Sequence, residues 1–204
     1  MVKKIKQSVT GLRDMAWKTL KSEYVIRRPW LTARRDTVEL PTGAVNDEYY
    51  VLEYPDWINV IAVTTDGRMV MVRQYRHALG QTCFEIVAGV TEQGEDPETA
   101  ARRELQEETG YAGGRWLKLM EVSSNASTCT NMTHCFLAMG VEKIDGQHLD
   151  DTEDIEVWLF REDEVRRMLE QGDIKQALMA APLWRYFAEH HRLYGAEETS
   201  DTNK

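Results

Sequence analysis

The chain has 204 residues, 42% of them hydrophobic and 29% charged, with a formal net charge of −9 at pH 7. That length suits one α/β domain with an appendage, or two small domains, and the apolar share is enough for a substantial core. The negative balance argues against a nucleic-acid or anionic-membrane binder, so any phosphate chemistry should run through metal ions and a few local arginines.

Cys83, Cys129 and Cys135 are odd in number and lack metal-finger spacing. They read as reduced thiols, which points to a cytoplasmic protein. No apolar run approaches the ~18 residues needed to span a bilayer. The basic start, Met1 to Lys6, is followed by no signal-peptide core.

Residues 1–16 are weakly patterned and are expected to form a mobile or short helical arm. Residues 18–27, 31–40 and 48–54 have strand character, broken at Pro29-Trp30 and Pro41-Thr42-Gly43 and closed by Pro55. A sheet over residues 17–54 buries little by itself, so it should pack on the main domain or on a second subunit. Residues 57–63 and 69–76 read as a hairpin around Thr65-Asp66-Gly67-Arg68. A short strand is expected at 84–88, with further strands at 116–122, 133–140 and 155–160. Between the last three lie a polar loop at 123–131 and an acidic loop at 150–154. Residues 162–171 and 175–194 have helical spacing, with Leu178, Ala181, Leu183, Trp184 and Phe187 as the expected core. The polar residues 196–204 are expected to be disordered. This order divides the chain into an arm and small sheet at 1–54, a main domain at 55–195 and a tail at 196–204. Strands, a helix, more strands and terminal helices predict an α/β/α arrangement around a mixed sheet.

The stretch 89–111 carries the chemistry. Asp96-Pro97 predicts a helix start, with Asp as N-cap and Pro in the first turn, and Gly110 predicts its stop. Ala100, Ala101 and Leu105 give this helix an apolar side. Glu104, Glu107 and Glu108 stand three and four residues apart on one face, where they repel each other unless a cation sits among them. Oxygen ligands in that pattern suit Mg²⁺, with Mn²⁺ as the other choice. Arg103 lies four residues before Glu107 and can hold its carboxylate. Three glutamates alone would fit an ordinary solvated helix; the whole pattern does not.

Gly89, Glu95, Arg103, Glu104, Leu105, Glu107, Glu108, Gly110 and Tyr111 fill in register the motif GX5EX7REUXEEXGU, U being bulky and apolar. The stretch therefore resembles the Nudix box, with Tyr111 a mild departure at the last position. The resemblance implies the Nudix α/β/α sandwich and hydrolysis of a nucleoside diphosphate linked to another moiety. It implies Glu104 and Glu108 as metal ligands, the Ala88 carbonyl completing a site, and Glu107 as a further ligand or a supporting catalytic carboxylate. By the same pattern Arg103 orients the glutamates and Glu95 assists through water.

Residues 70–76, 84–89 and 153–157, with the strand-rich N-terminal segment, are similar to the ADP-ribose pyrophosphatase branch. That likeness implies that Arg76 meets substrate phosphate or ribose, and that Glu153 serves as base, with Asp154 and Asp151 as competitors. It also implies a homodimer built through the N-terminal sheet, in which Trp17 or Trp30 stacks on adenine. Glu85 is a candidate substrate contact or a partner for Arg76 or Arg73, and His134 reads as structural. One departure concerns specificity: the loop Ser123-Ser124-Asn125-Ala126-Ser127-Thr128 lacks the proline common in ADP-ribose hydrolases. GDP-mannose or another nucleoside diphosphate sugar therefore stays open, as do a non-catalytic nucleotide-sugar sensor and a hydrolase of damaged triphosphates.

Overall fold

The computed structural model describes residues 12–194; the expected tail at 196–204 and most of the expected N-terminal arm lie outside them. The described chain forms two compact units. The first comprises the residues up to Tyr54 together with Asn125–Thr130. Its sheet is β1 (Lys18–Arg28), β2 (Leu31–Glu39) and β3 (Val45–Glu53), antiparallel throughout. Every residue of β1 is exposed, and only β2 and β3 contribute buried side chains, among them Ala33, Val38 and Val51. The polar loop joins this unit through backbone bonds, Leu52 N–H to Thr128 O at 2.7 Å and Thr130 N–H to Leu52 O at 3.1 Å.

The second unit holds an eight-stranded mixed sheet. Its spine runs β11 (Ile155–Arg161), β5 (Arg68–Arg76), β4 (Trp57–Thr64), β10 (Met132–Lys143) and β8 (Tyr111–Ala112). Strand β6 (Gln81–Glu85) pairs with β5, β7 (Val87–Val90) with β4, and β9 (Arg115–Ser123) with β10. The β4–β10 pair is parallel. Helix α1 (Pro97–Thr109) covers one face; α2 (Glu162–Gln171) and α3 (Ala177–Tyr194) cover the other. Strand β4 serves both cores, since Ile58, Val60 and Ala62 pack toward α1 while Ile61 and Val63 pack toward α3. An almost uninterrupted apolar run is what a strand covered on both faces needs. The expected α/β/α sandwich with a small preceding sheet is therefore the observed fold.

Two expectations change. The single strand at 84–88 is two strands, because the chain leaves β5 after Glu85 and moves to β4 from Val87, with Ile86 fully buried at the switch. An apolar run carries no mark of a change of partner. In α3, Trp184 is 45% exposed, whereas Tyr186 is fully buried. The stripe that packs is Met179, Leu183 and Tyr186, spaced four and three, and Trp184 falls off it.

The end signals of α1 hold. Asp96 accepts from the backbone of Glu98 at 3.0 Å and of Thr99 at 3.2 Å, and Gly110 closes the helix at φ 74°. Asp96→Ala should lower stability by about 1 kcal/mol. That corresponds to roughly 2–4 °C in a thermal melt of a chain this size. An unchanged midpoint would show that the cap contributes nothing.

Candidate active site

The Glu104 side chain lies against the backbone of β7 in the space that Gly89 leaves open. A Cβ there would stand 2.2 Å from Glu104 Cδ. The buried face of α1 runs Ala100, Ala101, Glu104, Leu105, Glu108, so two carboxylates continue the stripe that packs on the sheet. Glu107 points away from it and is 43% exposed.

Arg103 is the clamp. Its Nε and Nη2 both reach Glu95 at 3.1 Å, and its Nη1 reaches Glu104 at 2.9 Å and Glu107 at 3.0 Å. Nη2 also donates to the Val90 carbonyl at 3.1 Å. One planar fork thus ties the loop before the helix, the helix and β7 together. The Glu95 contact chiefly, with the other carboxylates, drives the Arg103 proton affinity further up. In turn Arg103 and the Glu92 backbone hold Glu95 below the usual carboxylate range.

Glu108 is in the opposite situation. It is 4% exposed, and its Oε2 has no hydrogen-bond partner. Burial first, then the nearby charges of Glu104 and Glu153, push its pKa up to about 8, against weaker pulls from the Ala88 backbone N–H and Arg76. Burial also raises Glu104, helped by Glu107 and Glu153 and opposed by Arg103. Among the described residues no three acidic, His or Cys side chains already converge on one metal-sized point. The donor set nevertheless fits a hard divalent cation. An orphaned buried carboxylate oxygen beside a second buried carboxylate is the arrangement that such an ion neutralises. Glu104 and Glu108 are the residues that would hold it, next to the main chain of Ala88.

Glu153 comes to this place through the loop between β10 and β11. That loop is tied to the end of α1. Gln147 Nε2 donates to the Glu108 carbonyl at 2.8 Å and the Ile155 carbonyl at 2.9 Å, and His148 N–H donates to the Glu107 carbonyl at 2.8 Å. Gln147 was not legible as a functional residue, since a lone glutamine in a polar loop carries no spacing signal. Glu153 itself accepts from the Asp150 N–H at 3.0 Å.

Arg76 ends β5 and pairs with Glu85, Nε to Oε1 at 2.9 Å. Glu85 is 2% exposed, so it lies behind the guanidinium and fixes it. Arg73 is engaged elsewhere, with Glu156 at 2.9 Å. Trp17 and Trp30 belong to the N-terminal unit. Trp17 sets its ring edgewise on Tyr49 at 5.6 Å, and Trp30 is 84% exposed between β1 and β2. His134 is bound by Asp56 at 3.0 Å and Glu121 at 3.1 Å.

The Nudix-domain family model matches residues 55–180. The chain belongs to the Nudix family. A second family model, the nucleoside diphosphate sugar hydrolase N-terminal domain, matches residues 17–52. Among similar proteins, an ADP-ribose pyrophosphatase of Bacillus subtilis is 30% identical over 170 residues, 83% of this chain and 91% of that protein. A methanol dehydrogenase activator of Bacillus methanolicus is 36% identical over 126 residues, 62% of this chain and 68% of that protein. The solved structure of an ADP compounds hydrolase superposes with a TM-score of 0.78 at 19% identity, covering 90% of this chain and 99% of that one, which shows the shared fold. The chain is thus a Nudix hydrolase of the ADP-ribose pyrophosphatase-like kind. Members of this family generally use divalent metal ions. Among the described residues no helix is long and apolar enough to cross a membrane.

The raised Glu108 pKa has a sign that can be checked. A carboxyl whose folded pKa lies above its unfolded value keeps a proton that the unfolded chain releases, so stability falls as pH rises through that window. Metal-free protein should therefore lose stability between about pH 4.5 and pH 8. Added Mg²⁺ or Mn²⁺ should raise the melting temperature more at the upper end than at the lower. Equal shifts at both ends, measured against chelated controls, would remove Glu108 from the metal site.

Proposed function

We propose that this chain hydrolyses the diphosphate linkage of a nucleoside diphosphate sugar, with ADP-ribose as the leading substrate and AMP and ribose 5-phosphate as products. The observation that carries the reading is the orphaned Glu108 carboxylate, set beside Glu104 and within reach of the charges of Glu153 and Arg76. The N-terminal family match and the name of the Bacillus subtilis relative support the substrate class.

When bound, a divalent cation, Mg²⁺ in this reading, neutralises diphosphate oxygens and acidifies a water. The chain supplies the rest. Glu104 and Glu108 provide the anionic floor, and the Arg103 fork keeps Glu104 and Glu107 in place. Arg76, backed by Glu85, binds a phosphate oxygen and orients the linkage. Glu153 takes the proton of the attacking water, whose oxygen bonds to phosphorus as the bridging P–O bond breaks. Its charge acts on both Glu104 and Glu108, which favours it over Asp151 and Asp154. In this reading residues 55–195 form the hydrolase domain of a cytoplasmic enzyme. Residues 1–54 form a dimerisation unit that brings Trp17 or Trp30 to the base. The exposed Leu20, Tyr24 and Ile26 of β1 give a second copy an apolar strand to cover.

Incubation with ADP-ribose and Mg²⁺ should release AMP and ribose 5-phosphate, and Glu108→Gln should reduce kcat by about 100-fold or more. Undiminished turnover in that variant would sink the assigned metal role. A panel including GDP-mannose would rank the alternatives, and a preference for it over ADP-ribose would correct the substrate. Sedimentation should give a dimer that Leu20→Lys dissociates; a wild-type monomer at micromolar concentration would refute the assembly.

A further inference from the structure

The last carbonyls of an α-helix have no partner within it. Those at the end of α1 are met by residues 144–148, which follow β10. Ile144 and Asp145 N–H both donate to the Gly110 carbonyl, at 2.9 and 3.2 Å, and His148 N–H donates to that of Glu107 at 2.8 Å. The approach is close, since a Cβ at residue 110 would stand 2.2 Å from the Asp145 carbonyl oxygen. His148 Nε2 and Asp145 Oδ2, 2.9 Å apart, brace the segment from within. Residues 144–148 are thus fixed to the helix that carries Glu104 and Glu108.

Gln147 carries this attachment across to β11. Its amide nitrogen has two hydrogens to give, and it reaches the Glu108 carbonyl at 2.8 Å and the Ile155 carbonyl at 2.9 Å. Between these anchors the chain turns back through residues 150–154, all of them exposed. Leu149 and Ile155, on either side of the turn, pack on the core beneath α1. Within the turn, Glu153 N–H donates to the Asp150 carbonyl at 2.9 Å and Asp150 N–H to Glu153 Oε2 at 3.0 Å. An exposed turn has no packing of its own to place it, so it inherits its position from its ends. Here one side-chain nitrogen joins the main chain of Glu108 to that of Ile155, two residues past Glu153. The charge of Glu153 in turn acts on both Glu104 and Glu108.

We propose that Gln147 is a positioning residue for the hydrolysis, holding the turn at 150–154 so that the Glu153 carboxylate stays before the Glu104 and Glu108 pair. Both of its N–H groups are spent on the two carbonyls, so it acts through Glu153. It therefore bears on the chemical step and leaves substrate binding alone. A reacting group displaced by about 1 Å can cost up to about 100-fold in rate. This rests on the reading of Glu153 as the base given above.

The test is a double-mutant cycle in kcat with ADP-ribose and Mg²⁺. Gln147→Met keeps the length of the side chain and removes both donors. It should lower kcat about tenfold and leave KM unchanged. In a Glu153→Gln background the same substitution should change kcat by less than about twofold. An equal fall in both backgrounds, an unchanged kcat in the single variant, or a loss expressed in KM overturns the proposal while the hydrolase reading stands. If the wild type turns over no nucleoside diphosphate sugar, that reading fails, and Gln147 is judged by NMR with Mn²⁺ as the only ligand. Bound Mn²⁺ should broaden the amide signals of residues 150–154 together with those of α1 in the wild type. In Gln147→Met it should spare the turn and still broaden α1. Broadening of the turn alike in both proteins, or its absence from the turn in the wild type, rejects the proposal.

Discussion

A carboxylate buried without a compensating charge has to be either protonated or neutralised by a ligand, and Glu108 imposes that choice on this fold. It continues the same helical stripe as Ala100, Ala101 and Leu105, so it cannot turn to solvent without unpacking α1. Glu104, one turn earlier on that stripe, shares the constraint, and Glu153 adds negative charge from a loop. The Glu104 carboxylate lies over the backbone of β7, in space that a side chain at residue 89 would take from it. Electrostatic cost, close approach and motif spacing are one requirement expressed at three residues.

Arg103 answers a different part of the problem. It spends its fork on Glu95, Glu104 and Glu107 and leaves Glu108 alone. The acidic patch is thus divided into a half neutralised within the protein and a half left for a ligand. Arg76 works with a carboxylate of its own, since its partner Glu85 is buried and Arg76 is partly exposed.

The parts that were legible in the sequence are those governed by local rules. The bounds of α1 follow from Asp96, Pro97 and Gly110, and the motif register names Arg103, Glu104, Glu107 and Glu108. What escaped depends on tertiary partners. The step from β5 to β4 at Ile86 needs knowledge of which strand lies next. The choice of Tyr186 over Trp184 as core residue needs the rotation of α3, which two overlapping apolar stripes left ambiguous. Gln147 has its role through carbonyls at residues 108 and 155, and Asn59 through one at residue 178. Single polar residues whose partners are remote in sequence carry no periodic signal. The loop at 125–130 likewise joined β3 rather than the domain that surrounds it in sequence.

Pro182 in α3 has no N–H for the Leu178 carbonyl, and Asn59 Nδ2 donates to that carbonyl at 2.7 Å, which couples two positions more than a hundred residues apart. So long as residue 182 lacks an N–H, residue 59 must offer a donor to the Leu178 carbonyl, and a hydrophobic replacement at 59 leaves that carbonyl stranded in the core. Once residue 182 regains its N–H, the helix closes its own ladder and residue 59 is released from the obligation. Substitutions at the two sites should therefore be tolerated in a fixed order, first 182 and then 59.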